Sequence, residues 1–138
     1  RIVLENDDKI FTAYDVLSIC QELSIPMVLD VHHHICNPGD AKLEDLLLPI
    51  FSTWKEQSRP PKIHFSSPKS EKQYRHHADD INPIDFIKFI QLVKEVWDKD
   101  VDIMLEAKNK DVALFNLLDS LRQYDVFDIK PGQAVIFL

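Results

Sequence analysis

The chain has 138 residues, of which 45% are hydrophobic and 28% charged, a balance typical of one globular domain with its own core. It has no apolar run of the ~20 residues that span a membrane, no secretory-signal pattern at its start and only two cysteines, so we expect a cytoplasmic domain with no membrane partner. Its net charge of −7 also argues against a generally basic, nucleic-acid-binding surface.

The chain begins with Arg1 and passes directly into an apolar run at residues 2–4, with no preceding turn or cap. Native domains rarely begin inside a buried strand, because chain termini normally lie at the surface. We therefore expect the chain to be a fragment of a longer protein.

Four short apolar runs recur, each followed by a segment with helical periodicity: residues 2–4, 27–29, 63–65 and 103–105. This alternation predicts βα units on a parallel sheet. A complete (β/α)8 barrel takes ~250 residues, so four units are about half a barrel. We predict an α/β fold in which residues 1–138 form a single partial domain, half of a TIM barrel, with a small open sheet as the alternative.

The predicted helices carry start signals. Thr12 followed by Asp15 predicts a capping box, and one face of the first helix is expected to be buried: Ala13, Val16, Cys20 and Leu23. The second helix contains Pro49, which should kink or split it. Asn82 should cap the third helix, and leucines mark the fourth. The apolar segment from Gln133 to the end of the chain is strand-like but has no predicted place.

Polar residues lie where the predicted strands end: Glu5, Asp30 and Glu106 follow their strands, and His64 lies within the third. In a parallel barrel all strand ends meet at one face, where the active sites of this fold are built. Buried carboxylates repel one another and are costly to desolvate, so a bound cation is the natural resolution. Any one of these acids could be a loop or capping residue, but the four residues together predict a metal site.

Further histidines lie beside these strands. Asp30 and His33 form a D-x-x-H pair that can reach round a tight turn, whereas the two histidines that flank His33 are expected to hold the loop. His76 and His77 follow the third strand at loop distance. Either of them can fold back over the predicted metal site.

The mixed carboxylate and imidazole ligands suit zinc, manganese or iron, and several carboxylates favour more than one metal ion. Clustered divalent metals fit phosphoester hydrolysis, because they generate a hydroxide nucleophile and stabilise the attacking and leaving oxygens. Sugar isomerisation is also compatible with such a site.

Lys62 lies two residues before His64, so both side chains are predicted on one face of the third strand. An ammonium group that points at metal ions would be repelled by them. We expect Lys62 to turn away, to form an ion pair with a carboxylate, or to become a carbamate that binds metal.

Positive charge is concentrated between residues 55 and 75, where the chain has six lysines and arginines and two acidic residues. This imbalance predicts a local basic loop in an otherwise acidic chain. For any single one of these residues, a solvated surface position is the alternative.

Four blocks stand out in order along the chain: RIVLEND, LDVHHHICNPGD, KIHFSSPKSEKQYRHHADDI and DIMLEAKNKD. Their order and spacing resemble the carboxyl-terminal half of the UV DNA damage endonuclease family, and the resemblance covers essentially the whole chain. It implies a barrel related to endonuclease IV and incision of DNA on the 5′ side of ultraviolet photoproducts. It also implies UV-damaged double-stranded DNA as the partner and a cluster of divalent metals as the cofactor, commonly manganese, with zinc as the alternative.

The resemblance implies roles for individual residues. The family's metal ligands correspond to Glu5, Asp30, His33, His64, His77 and Glu106. The implied catalytic residues are Glu5, Glu106 and Lys62, with Glu5 as a carboxylate that bridges metals and Lys62 as a candidate for carbamate formation.

The basic loop then acquires a role, because Lys69, Lys72 and Arg75 can contact DNA phosphates without reading the base sequence. The amino-terminal half of the family's barrel is absent, and it should supply further histidine ligands and the residues that probe the lesion. We therefore expect this chain alone to bind metal weakly, to be inactive, and to pair with a second copy that covers its strand edges. The alternatives are a metal-dependent sugar isomerase or epimerase of the same architecture and a non-catalytic half-barrel.

Overall fold

The computed structural model describes residues 2–125, 127–129 and 135–137, which form an α/β fold around a parallel sheet. Its four strands lie in chain order across the sheet: β1 (Leu4–Glu5), β2 (Met27–Asp30), β3 (Lys62–Phe65) and β4 (Asp102–Leu105). Each neighbouring pair is parallel. The predicted parallel sheet is therefore confirmed.

Within the described residues the helices are α1 (Ala13–Leu23), α2 (Val31–Cys36), α3 (Leu43–Ser52), α4 (Pro83–Val96) and α5 (Asp111–Leu121). The predicted capping box is present at α1: the Asp15 amide donates to the Thr12 hydroxyl at 3.2 Å, and the Thr12 amide donates to the Asp15 carboxylate at 2.9 Å. Asn82 caps α4 as predicted, because its side-chain oxygen accepts from the amides of Ile84 and Asp85. No helix among them is long and apolar enough to cross a membrane.

Some predicted details are wrong. The first strand begins at Leu4, so Ile2 and Val3 lie outside it and are exposed. Leu23 is 60% exposed, because at 3.6 residues per turn it lies on the rim of the buried stripe of α1 and at the helix's last position. Pro49 lies inside α3, which continues through it, so the split that was one of its two predicted effects is wrong.

The carboxyl-terminal segment adds a second sheet that the sequence did not predict. β5 (Phe127–Ile129) pairs antiparallel with β6 (Val135–Phe137), so the strand-like character expected of the tail is confirmed over these three residues. Gln133 and Leu138, the ends of that predicted segment, lie outside the described residues.

The alternation of side chains along the strands separates the core from a polar face. Leu29, Ile63 and Phe65 are buried in the hydrophobic core together with apolar residues of the helices. Asp30 and His64 are their neighbours along the same strands, so their side chains lie on the opposite face of the sheet. The parallel register also places these two residues side by side, as direct partners between β2 and β3.

Candidate metal centre

The carboxyl ends of the four parallel strands bring the predicted ligands together. One group contains Glu5, Asp30 and His33, with one ligand atom of each lying within 4.8 Å of the others. A second group, by the same measure, contains Asp30, His64 and Glu106. Asp30 belongs to both groups because β2 lies between β1 and β3.

Asp30 is the most buried residue of these two groups, with no exposed surface at the end of β2. Its Oδ1 accepts from the His33 amide at 2.8 Å and so caps α2. The predicted tight turn between Asp30 and His33 is therefore the first turn of this helix. Its Oδ2 is buried and has no hydrogen-bond partner in the described part of the chain. Burial raises the pKa of Asp30. A cation bound at Oδ2 would compensate the cost of burying this carboxylate with one oxygen unsatisfied.

His64 lies between two carboxylates. Its Nδ1 is 3.3 Å from Glu5 Oε1 and 3.3 Å from Glu106 Oε1, and it is buried without a hydrogen bond of good geometry among the described residues. The Glu5 carboxylate is the main reason that the pKa of His64 is raised. An imidazole held between carboxylates can either carry a proton or, when neutral, share a metal ion with them.

His33 and His77 lie at the two ends of this cluster. His33 Nδ1 is 3.6 Å from Glu5 Oε1 and 3.7 Å from Asp30 Oδ2. His77 Nδ1 is 3.7 Å from Glu106 Oε2. His77 is half-buried and His76 is exposed, so the loop folds His77 back over the site. The structure thus brings all six predicted metal ligands into one continuous cluster.

The flanking histidines have different surroundings from His33. His32 is buried, with Nδ1 2.9 Å from Ser66 Oγ and Nε2 2.5 Å from the Tyr74 carbonyl oxygen, and its ring centroid lies 5.3 Å from that of His77. It therefore holds the loop, as predicted. His34 is also buried, and burial lowers its pKa.

Asn6, which is 1% exposed, was not among the predicted site residues. Its amide nitrogen donates to the Asp30 carbonyl oxygen at 2.9 Å, and its Oδ1 accepts from the Asp30 amide at 3.0 Å. Its own carbonyl oxygen lies 2.9 Å from His33 Nδ1. Asn6 thereby fixes the backbone of one candidate ligand and the ring of another. A polar residue directly after a strand-ending acid was the signal that could have identified it.

Along β3, Lys62 and His64 are partly buried and Ile63 and Phe65 are buried. This alternation places Lys62 on the same face of the strand as His64. It also lines a groove beside β4, where it is the direct partner of Asp102 in the parallel register. None of the ion pairs among the described residues involves Lys62.

The predicted basic loop is exposed at Lys69 and Lys72. Arg75 is engaged: its guanidinium donates to the Asp8 carbonyl oxygen, lies 3.3 Å from Asp8 Oδ2 and stacks 5.4 Å from the centroid of the Tyr74 ring. Arg75 therefore ties the basic loop to the loop that follows β1.

The donor set fits a divalent metal. The three carboxylates and three imidazoles are ligand types that manganese, zinc and iron accept. The buried Oδ2 of Asp30 and Nδ1 of His64 lack hydrogen-bond partners in the described chain, as ligand atoms for an ion would.

Comparisons with known proteins identify a family of similar sequences. The sequence model of UV-endonuclease UvdE matches residues 1–137. The UV DNA damage endonuclease of Bacillus cereus (strain B4264) is 48% identical over 122 residues, which are 88% of this chain and 38% of the relative. The UV DNA damage endonuclease of Bacillus pumilus (strain SAFR-032) is 47% identical over the same shares.

A solved structure is also similar. The protein described as "Crystal Structure of SacUVDE" superposes with a TM-score of 0.75 and 33% sequence identity, covering 89% of this chain and 40% of that one. The chain thus spans about two fifths of the length of the relatives that it matches.

Proposed function

Because the chain belongs to the UV-endonuclease UvdE family, we propose that it is the carboxyl-terminal half of a metal-dependent DNA repair endonuclease that incises DNA 5′ to UV photoproducts. The α/β fold with its parallel sheet is TIM-barrel-like, and we propose that residues 1–138 form one partial domain, half of that barrel. The share of each relative that the chain covers supports this proposal. The longer polypeptide that would carry both halves is the full-length polypeptide.

The proposed metal ligands are Glu5, Asp30, His33, His64, His77 and Glu106. A divalent metal bound there supplies Lewis acidity and charge neutralisation for phosphodiester hydrolysis. We propose manganese, with zinc as the alternative. The observation that carries the proposal is the convergence of Glu5, His33, His64 and Glu106 on the buried, half-satisfied Asp30, in a chain that matches this family over residues 1–137.

Among these ligands, we propose Glu5 and Glu106 as catalytic groups as well. Their side chains are 35% and 32% exposed, so a DNA backbone can approach them, whereas Asp30 has no exposed surface. A carboxylate within reach of the scissile phosphate accepts the proton of the attacking water and later returns it to the departing 3′ oxygen. His64, between the two, keeps both carboxylates oriented.

For Lys62 we propose conversion to a carbamate. Its neutral amine adds to carbon dioxide and loses one proton, which replaces a cation with an anionic oxygen ligand. Such a ligand is compatible with a metal cluster on the face that Lys62 shares with His64, and an ammonium group is not.

We propose that Lys69, Lys72 and Arg75 contact phosphates of UV-damaged double-stranded DNA. The first two are exposed and suited to direct contact. Arg75 also orders the loop through Asp8. Phosphate contacts of this kind set position on the duplex and are independent of sequence, which suits an enzyme that acts on deformed DNA.

The chain by itself is proposed to be inactive. In the described sheet β1 and β4 are edge strands, and an uncovered edge presents unpaired backbone groups to a second chain. Self-association into a dimer is the expected consequence. A reducing, cytoplasmic location is proposed as well, since both Cys20 and Cys36 are free thiols.

A nicking assay tests the proposal. Supercoiled plasmid, irradiated or not, is incubated with manganese and either the full-length polypeptide or the 138-residue chain. We expect nicking of irradiated plasmid by the full-length polypeptide alone, and loss of nicking in its Glu106→Gln variant but not in a Glu95→Gln control on α4. Intact irradiated plasmid with manganese and with zinc would refute the proposed function and leave a sugar isomerase or epimerase as the better hypothesis.

A further inference from the structure

His77 differs from the other five candidate metal ligands, which lie within a strand, directly after β4, or in α2. It lies in the loop between β3 and α4, where a single antiparallel bridge joins it to Pro68. Its Nδ1 is nevertheless 3.7 Å from Glu106 Oε2. The position of this imidazole in the candidate metal centre therefore depends on the contacts that hold the loop.

The segment directly after His77 is hydrogen-bonded to the segment that follows β4. The Lys108 amide donates to the Ala78 carbonyl oxygen at 3.1 Å, and the Asn109 amide donates to the Asp79 carbonyl oxygen at 3.0 Å. Two backbone hydrogen bonds thus join the loop after β3 to the loop after the neighbouring strand.

The carboxylate of Asp80, which is half-buried, reinforces this pairing. Its Oδ2 accepts from Asn109 Nδ2 at 3.1 Å, and its Oδ1 accepts from Asn116 Nδ2, on α5, at 2.9 Å. A carboxylate offers a separate oxygen to each of the two amide donors, and hydrogen bonds to a charged acceptor are stronger than neutral ones. The side chains of Asp80, Asn109 and Asn116 form the Asp80 clamp.

The clamp acts on the loop that carries His77 and leaves Glu106 to the sheet. The Glu106 amide donates to the Phe65 carbonyl oxygen at 2.9 Å, which extends the pairing of β3 with β4 by one residue. Glu106 is therefore held by strand pairing, whereas His77 is held through the three residues that follow it. On the opposite side, the His77 ring lies 5.3 Å from the ring of His32.

We propose that Asp80 is a positioning residue for the candidate metal ligand His77. By attaching residues 78–80 to the loop after β4 and to α5, it holds the His77 imidazole beside Glu106 before any metal binds. The proposal rests on the ligand set of the proposed function and adds a residue outside that set. A ligand that is already ordered loses less conformational entropy on binding, so the clamp should strengthen metal binding.

The first test is a calorimetric titration of the full-length polypeptide with manganese. Asp80→Ala should weaken manganese binding about 10-fold, the lower end of the range for residues that orient metal ligands, because Asp80 acts through the backbone. In the metal-free protein, the amides of Lys108 and Asn109 should exchange hydrogen faster than in wild type. Asp79→Ala is the matched control, since it removes a neighbouring exposed carboxylate and keeps the carbonyl oxygen that accepts from Asn109. It should match wild type in both measurements.

A double-mutant cycle separates positioning of His77 from a general loss of structure. In a His77→Ala background, Asp80→Ala should cause little further loss of manganese affinity, because no imidazole remains to be positioned. A merely structural role of Asp80 would instead make the two losses add in full.

An exchange of side chains provides the rescue. Asp80→Asn alone should weaken manganese binding, because its amide nitrogen cannot accept from the Asn116 amide. Asp80→Asn combined with Asn116→Asp reverses the donor and acceptor of that hydrogen bond, keeps an oxygen for Asn109 and leaves the net charge unchanged. This double variant should regain most of the affinity, and it tests the clamp even where Asp80→Ala destabilises the fold.

The proposal fails if Asp80→Ala binds manganese like wild type, if its loss adds in full to that of His77→Ala, or if the side-chain exchange restores nothing. Unchanged manganese affinity in His77→Ala alone would overturn both the clamp's role and the role of His77 as a ligand. Nicking of irradiated plasmid tests the proposed function separately. If wild type shows the expected manganese dependences but leaves irradiated plasmid intact, the positioning role stands and the nuclease proposal fails.

Discussion

Burial of side chains has opposite effects on the free energy of folding at the two faces of the sheet. On the helix side, Phe51, Leu29 and Ile63 are fully buried apolar side chains, so their burial stabilises the fold directly. On the other side, Asp30 is equally buried, but its Oδ2 has no hydrogen-bond partner in the described chain and its pKa is raised by desolvation. Burial of an unsatisfied carboxylate opposes folding.

This difference separates a face whose burial is favourable by itself from a face that we propose binds metal. An apolar core is complete without a ligand. A buried cluster of acids and imidazoles becomes favourable when a cation joins it. Substitutions on the two faces should therefore change different quantities, and this expectation can be tested.

The largest effect is expected in the core. Phe51→Ala removes a fully buried ring whose centroid lies 5.3 Å from that of Trp97, and should lower the free energy of unfolding by about 3–5 kcal/mol. Denaturant unfolding of the chain measures this change. Phe115→Ala, at a 59% exposed position on α5, is the control and should change it by less than about 0.5 kcal/mol. Equal effects would mean that the burial pattern is wrong.

The next largest effect is expected at the metal centre. Asp30→Asn keeps the oxygen that caps α2 but removes the buried charge, so the metal-free chain should be as stable as wild type or more stable. Manganese affinity of the full-length polypeptide should fall by at least about 100-fold, measured by calorimetry. Asp40→Asn, at an exposed position, should alter neither quantity. Unchanged manganese affinity in Asp30→Asn would remove Asp30 from the ligand set.

Asn6 lies in the candidate metal centre, yet we expect it to stabilise the fold in the absence of metal as well. Asn6→Ala leaves the amide and carbonyl of Asp30 without their side-chain partner, and should lower the free energy of unfolding by about 1–3 kcal/mol even without metal. Gln21→Ala, at an exposed position on α1, serves as the comparison. A variant as stable as wild type would show that Asn6 does not fix the backbone there.

The smallest effect is the dependence of stability on pH. The folded-state pKa of His64 is raised by Glu5, so this pair stabilises the metal-free chain fully below the unfolded value of about 6.5, and the contribution is lost as the pH rises through the folded value. The lowered pKa of His34 acts in the opposite direction. The melting temperature of wild type minus that of His64→Gln should therefore decrease as the pH rises.

Manganese should reverse that trend, because a metal ligand must give up its proton and binding strengthens with pH. His76→Gln, at an exposed position in the same loop, should show neither effect. A difference that grows with pH in the absence of metal would contradict the pairing of His64 with Glu5.

Much of the fold could be read from local patterns. The capping box at Thr12, the cap at Asn82 and the alternation of apolar and polar residues in β3 depend on groups within a few positions of one another. Their physics is short-range, and the structure agrees with each prediction. The sequence did not predict α2, because its six residues carry no amphipathic repeat. The Asp30 cap stabilises its first turn.

The sequence by itself determined which residue types stand at the strand ends, and hence that a cation site was expected there. Only the tertiary structure decided which of them meet. The parallel register sets Asp30 beside His64, the loop held by His32 brings His77 rather than His76 to Glu106, and Asn6 closes onto Asp30. These contacts join residues that are 24 to 42 positions apart along the chain, a separation at which packing, and not local propensity, selects the partner.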